Sequence, residues 1–173
     1  MVQRLSQAKA LALQSVFPES IVIAADTTVV LEGQILGKPA DQAEARAMLK
    51  RLRARPHVVY SGLALSGPAC FLAEVVQTTV WMRPYSDEEI ALYVSSGDPL
   101  DKAGAYSIQH PAFRPVERVE GCYASVMGLP LCHLYRMLKE IGLHPPEMPP
   151  PLCEKFLRYR CPAAREILEI ERR

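Results

Sequence analysis

Short apolar runs rich in β-branched residues alternate along this chain with stretches whose apolar positions recur every three or four residues, the pattern of strands interleaved with helices. Residues 1–17 set Leu5, Ala8, Leu11, Ala12 and Val16 at helical spacing. Residues 21–25, Ile-Val-Ile-Ala-Ala, read as a strand buried on both faces. A second strand follows over 28–31, with Glu32-Gly33 as a tight turn and 34–36 as the returning strand. Asp41 is expected to cap a helix over 42–53 whose apolar side holds Ala43, Ala47, Met48 and Leu52. Residues 57–65 and 70–82, parted by Ser66-Gly67-Pro68-Ala69, predict a long hairpin able to wall a cleft. Ser86 with Glu89 forms a capping-box pattern opening a helix to about residue 95, which Gly97 ends. A strand over 122–127 and a helix over 129–141, stopped by Gly142, complete the pattern. The fold class is α/β, a mixed twisted sheet flanked by helices.

Composition supports one globular domain, expected over 1–142. The chain has 173 residues, 49% apolar and 23% charged. Residues 143–152 hold five prolines and predict a stiff, extended connector without regular structure. Residues 153–173 form an extension of two short amphipathic helices, over 153–159 and 163–172, carrying Arg158, Arg160, Arg165, Arg172 and Arg173. A net charge of +1 supplies no field for a nucleic-acid polymer or a membrane surface. No apolar stretch reaches membrane-span length, and residues 1–17 lack a signal-peptide pattern, so a cytoplasmic location is expected. Cys70, Cys122, Cys132, Cys153 and Cys161 contain no C-x-x-C pair, which argues for reduced thiols rather than a disulfide framework or zinc ribbon. A clip of Cys153, Cys161 and His144 matches no usual metal-ligand spacing. Cys132 and His133 read as packing and surface residues.

Candidate chemistry concentrates in two segments. Ala24-Ala25-Asp26-Thr27-Thr28-Val29-Val30, followed by Gly37-Lys38-Pro39, sets a carboxylate at the end of a strand and a cation twelve residues later. Asp26 has no helix after it to cap, which favours a ligand-facing role over an Asx-turn. Asp101-Lys102-Ala103-Gly104-Ala105-Tyr106-Ser107-Ile108-Gln109 gathers an acceptor, a cation and an amide around a glycine that permits close backbone approach. Water attack on a phosphate needs an ionised carboxylate as base or metal ligand and cations against developing charge. Asp26 suits the first need and Lys38 the second, although Lys38 also reads as a solvated loop cation. Asp101 is either a second metal-facing carboxylate or the salt-bridge partner of Lys102.

Together with Ala8-Lys9-Ala10, and with Val119-Glu120-Gly121 leading to Val126-Met127-Gly128-Leu129-Pro130, these segments closely resemble the Maf (septum-formation-inhibitor-like) nucleoside triphosphate pyrophosphatases, relatives of the inosine triphosphate pyrophosphatases. The resemblance implies a substrate cleft and cleavage of nucleoside triphosphates to monophosphate and pyrophosphate. It assigns proton acceptance to Asp26 and substrate contacts to Lys9, Thr27, Lys38, Asp101, Lys102 and Gln109. It further implies a divalent cation, Mg2+ or Mn2+, held by Asp26 and Asp101, and a homodimer. Thr27 and Gln109 resemble the positions that select dTTP and UTP in one branch, and the Gln109 amide suits a pyrimidine edge. The family normally opens with a strand and a Ser-x-Ser-Pro-Arg-Arg loop that grips the triphosphate, and this sequence begins at what matches the family's second helix. The expectation is an N-terminally truncated member, through start assignment, fragmentation or gene loss. A catalytically impaired nucleotide-binding or division-regulating protein is the alternative, and a structural dimer binding little is a third reading.

Overall fold

The α1 helix, Val2–Gln14, buries Val2, Ser6 and Ala10. The computed structural model describes residues 1–158 and 160–168. The buried face is not the expected one, since Leu5, Leu11 and Val16 are exposed. The reason is close packing: a Cβ on Gly62 would lie 2.4 Å from the Val2 carbonyl oxygen. Only small side chains fit beneath a helix this near a strand, and Ala10 packs with Val22, Ala24 and Ala64.

Five strands, β1 (Val22–Leu31), β2 (Gln34–Leu36), β3 (Pro56–Gly67), β4 (Cys70–Met82) and β5 (Val116–Glu120), form one open sheet in the order β2-β1-β3-β4-β5. β1 and β2 pair antiparallel, Val29 opposite Leu36, through a turn with positive φ at both Glu32 and Gly33. The helices are α2 (Gln42–Leu52), α3 (Asp87–Ser95), α4 (Tyr123–Val126), α5 (Leu131–Glu140), α6 (Pro149–Leu157) and α7 (Ala164–Ile167). Asp41 caps α2 by accepting from Glu44 N, and Ser86 with Glu89 forms the full capping box of α3. Among the described residues no helix is long and apolar enough to cross a membrane.

Four local expectations change. β1 is continuous from Val22 to Leu31, so Asp26 stands mid-strand rather than at a strand end. Ile21 and Ile23 are exposed, because α1 covers the Val22 and Ala24 face while the α5 cluster reaches Ala25. The strand expected over 122–127 is the short helix α4; the strand lies upstream, where Val119 pairs with Val80 of β4, and Gly121 at φ 116° ends it. The proline-rich stretch does not stay irregular: α6 starts at Pro149, using prolines in the first turn, where a missing N–H costs nothing. Of the two expected C-terminal helices, α6 and α7 form within the described residues; Tyr159, Arg172 and Arg173 lie outside them.

The chain divides into two compact units. One comprises residues 1–27, 61–77 and 121–173; the other, residues 28–60 and 78–120. In the first unit α5 lays Met137, Leu134, Leu138 and Ile141 against Leu63 and Leu65. Arg136 of α5 bonds Glu74 of β4 at 2.5 Å, and His133 Nδ1 stands 2.8 Å from the same carboxylate. The second unit buries Leu31, Leu49, Leu52, Tyr85, Ile90 and Val94. Its Tyr85 hydroxyl donates to the Leu49 carbonyl at 2.8 Å, which satisfies the only polar atom of an otherwise apolar ring.

Candidate functional site

The first unit sets Lys9 of α1 against Asp26 of β1. The Lys9 ammonium donates to Asp26 Oδ1 at 2.7 Å and also approaches the Ala25 carbonyl at 3.4 Å. Asp26 is 19% exposed and Lys9 53%, so the carboxylate is recessed and its cation stands at the surface. The close seating of α1 over Gly62 and Ala64 carries Lys9 to this place. Beside Asp26, the Thr27 hydroxyl lies 2.8 Å from Ser61 Oγ, which donates to the Ser125 carbonyl at 2.6 Å. This relay ties β1 and β3 to α4. Gly128 borders it, since a Cβ there would lie 3.9 Å from Thr27 Oγ1. Ser61 was not singled out in the sequence, where nothing distinguishes it from a strand serine.

The second unit gathers Lys38, Asp101 and Lys102. Lys102 Nζ bonds Asp101 Oδ1 at 2.6 Å, Asp98 Oδ1 at 3.1 Å and the Asp98 carbonyl at 2.9 Å. Asp101 is thus bonded to Lys102, the contact that its salt-bridge reading expects. Hydrogen bonding and charge from Lys102, with the field of Lys38, hold the Asp101 carboxyl below the usual range. Burial pushes Lys102 down, but Asp101 and Asp98 outweigh it and raise its pKa. Burial likewise pushes Asp98 up, and its bonds from Tyr93 and Lys102 overcome this to leave it lowered. Asp98 was missed in the sequence, although its i, i+4 spacing to Lys102 is a readable signal.

Backbone contacts hold this loop. Gly104 N donates to the Gly37 carbonyl at 3.0 Å, joining the loop to the turn that bears Lys38. Gly104 has φ 71°, and a Cβ there would meet the Val29 side chain at 3.1 Å. The Tyr93 hydroxyl accepts from Ser107 N at 2.9 Å and donates to Asp98 Oδ2 at 2.6 Å. His57 Nε2 lies 2.7 Å from the Tyr106 hydroxyl, with both rings buried. Desolvation lowers the His57 pKa to about 4, so the imidazole is neutral at physiological pH. Gln109 is exposed.

Among the described residues, no three His, Cys, Asp or Glu side chains are already set to hold a metal ion. The recessed Asp26 carboxylate nevertheless fits the way Mg2+ binds, through one or two carboxylates completed by substrate oxygens and waters. Asp101, 77% exposed and bonded to Lys102, fits less well.

The family model described as Maf-like protein matches residues 1–141. The dTTP/UTP pyrophosphatase of Koribacter versatilis is 44% identical over 141 residues, covering 82% of this chain and 73% of that one. The protein of the same name from Pelotomaculum thermopropionicum is 43% identical over 144 residues, 82% of this chain and 75% of its own. That of Carboxydothermus hydrogenoformans is 47% identical over 140 residues, 80% of this chain and 75% of its own. With the family model matched over most of its length and relatives this similar, the chain belongs to the Maf-like protein family.

Proposed function

We propose that this protein hydrolyses nucleoside triphosphates, dTTP and UTP foremost, to the monophosphate and pyrophosphate. The recessed Asp26 with Lys9 bonded at 2.7 Å carries the reading, together with the activity named for its relatives. Asp26 accepts a proton from a water molecule as that water attacks the α-phosphorus. The bond from the α-phosphorus to the oxygen shared with the β-phosphate breaks, and pyrophosphate leaves with that oxygen. Lys9, bonded to that carboxylate at 2.7 Å, offers its charge to the phosphates, and Lys38 and Lys102 are the second unit's candidate cations for phosphate contact. Thr27 is the first unit's proposed contact to the base, and the exposed Gln109 of the second unit offers an amide suited to a pyrimidine edge. Asp101 keeps Lys102 charged, its bond at 2.6 Å supporting this over a metal contact.

A Mg2+ or Mn2+ ion held at Asp26 would polarise the phosphate oxygens and lower the cost of charge transfer. The reading extends to a homodimer in the cytoplasm, and sedimentation velocity checks the dimer. Pyrophosphate release from dTTP and UTP, with Mg2+ or Mn2+, tests the activity. The expected result is turnover that Asp26→Asn reduces by roughly 10²- to 10⁴-fold, the usual contribution of a positioned base. Saturable dTTP binding with no turnover would replace this reading by the impaired nucleotide-binding one.

A further inference from the structure

Gly104 and Ala105, in succession, hold positive φ, 71° and 59°. Glycine takes that conformation freely, whereas a residue with a side chain does so at a cost and keeps it only where its surroundings hold it. Ala105 is fully buried. The turn lies between Lys102 and Gln109, two of the residues given to nucleotide contact above. The next residue, Tyr106, reaches back to the sheet. Its hydroxyl lies 2.7 Å from Nε2 of His57 in β3, and its ring meets the imidazole edge-on with centroids 5.4 Å apart.

We propose that His57 is a positioning residue for substrate binding, which through Tyr106 locks the Gly104–Ala105 turn and so fixes Lys102 on one side of it and Gln109 on the other. This role rests on the nucleotide contacts proposed for those two residues. His57 is 2% exposed and Tyr106 6%. The imidazole is neutral, burial having lowered its pKa to about 4, so it carries a single N–H. Among the described residues Nδ1 has no hydrogen-bond partner. The assignment that uses the ring's one donor therefore places the proton on Nε2, donating to the Tyr106 oxygen. Burying an imidazole with one nitrogen unpaired is unfavourable for stability alone, and an apolar pair of the same shape would pack there at less cost. What the bond supplies is a fixed place for the loop.

Neighbouring bonds hold the flanks of the same turn. Gly104 N donates to the Gly37 carbonyl at 3.0 Å, and Ser107 N donates to the Tyr93 hydroxyl at 2.9 Å. Between them the Tyr106 side chain is tied to β3. All of these residues lie in the second unit, while Asp26, the proposed base, lies in the first. A loop ordered before the ligand arrives spares binding the cost of ordering it, so loss of the anchor weakens binding and not the chemical step.

The test compares the full chain with His57→Gln and with the double variant His57→Leu/Tyr106→Phe. The double variant removes both polar partners together and strands neither, and the glutamine amide offers a donor in place of Nε2. Backbone hydrogen exchange without nucleotide should run about tenfold faster at residues 104–109 in the double variant, with α2 and α3 unchanged, and at the wild-type rate in His57→Gln. Pyrophosphate release from dTTP should show KM raised about tenfold in the double variant with kcat within about threefold, and a KM near wild type in His57→Gln. In a Gln109→Ala background the same double variant should raise KM less, because a residue that the anchor places is already gone. Turnover by the wild-type chain with exchange at 104–109 unchanged in the double variant overturns the role of His57 alone. Protection lost evenly across the second unit, or kcat lowered with KM unchanged, also overturns it. A wild-type chain that neither binds nor cleaves dTTP removes the nucleotide reading and this role with it.

Discussion

The two units solve the problem of positioning a lysine beside a carboxylate in opposite ways. In the first, small residues under α1 let a helix settle onto a strand, and the pair Lys9–Asp26 joins residues seventeen apart in sequence. In the second, large side chains such as Tyr85, Leu49 and Leu52 build an ordinary core, and Lys102 finds Asp98 and Asp101 within its own loop. A long-range pair depends on every contact that seats its helix, whereas a local pair depends on the conformation of a few residues. The first is therefore exposed to packing changes far from the charges, and the second to backbone changes nearby.

Removing bulk from the second core should be the most costly change. Leu49→Ala is expected to lose about 2 to 5 kcal/mol in urea unfolding, the range for deleting a fully buried leucine. The second unit also holds a pH effect on the acid side of neutrality. Neutral His57, with a pKa of about 4 against the ordinary 6.5, leaves the unfolded state as the better proton acceptor between these values. Stability from this group should be complete above pH 6.5 and fall by about 3 kcal/mol as pH drops through 4. Unfolding at several pH values measures it, and His57→Gln should remove most of that dependence.

Adding bulk to the first unit sharpens the contrast. Gly62→Ala places a methyl against the Val2 carbonyl and should cost about 1 to 3 kcal/mol. It should also lower the proposed activity, because α1 carries Lys9. Leu92→Ala on the exposed side of α3 should change neither. A local change should cost less than this overpacking: Ser86→Ala removes one half of the α3 capping box and should cost about 1 kcal/mol.

Caps and turns were legible because they are written in adjacent residues: Asp41 and Glu44, Ser86 and Glu89, Glu32 and Gly33. The α1 register was not, since periodicity marks an apolar face without saying which face a strand of glycine and alanine can accept. Residues 116–120 resemble a polar loop in isolation and become a strand by pairing with β4. In the candidate site, the residue types at Lys9, Asp26, Lys38 and Lys102 were readable from motif order, but the Ser61 relay and the partners of Asp101 were not.

By itself the sequence determined the family, the order of most strands and helices, and which charged residues are available for phosphate chemistry, because these reside in local pattern and motif spacing. Tertiary structure alone decided that α1 presents Lys9 to Asp26, that Asp98 joins Asp101 on Lys102, and that Cys153 of the extension packs on the cluster of Cys122. These depend on side chains distant in sequence being brought together by packing, which no single window of the chain encodes.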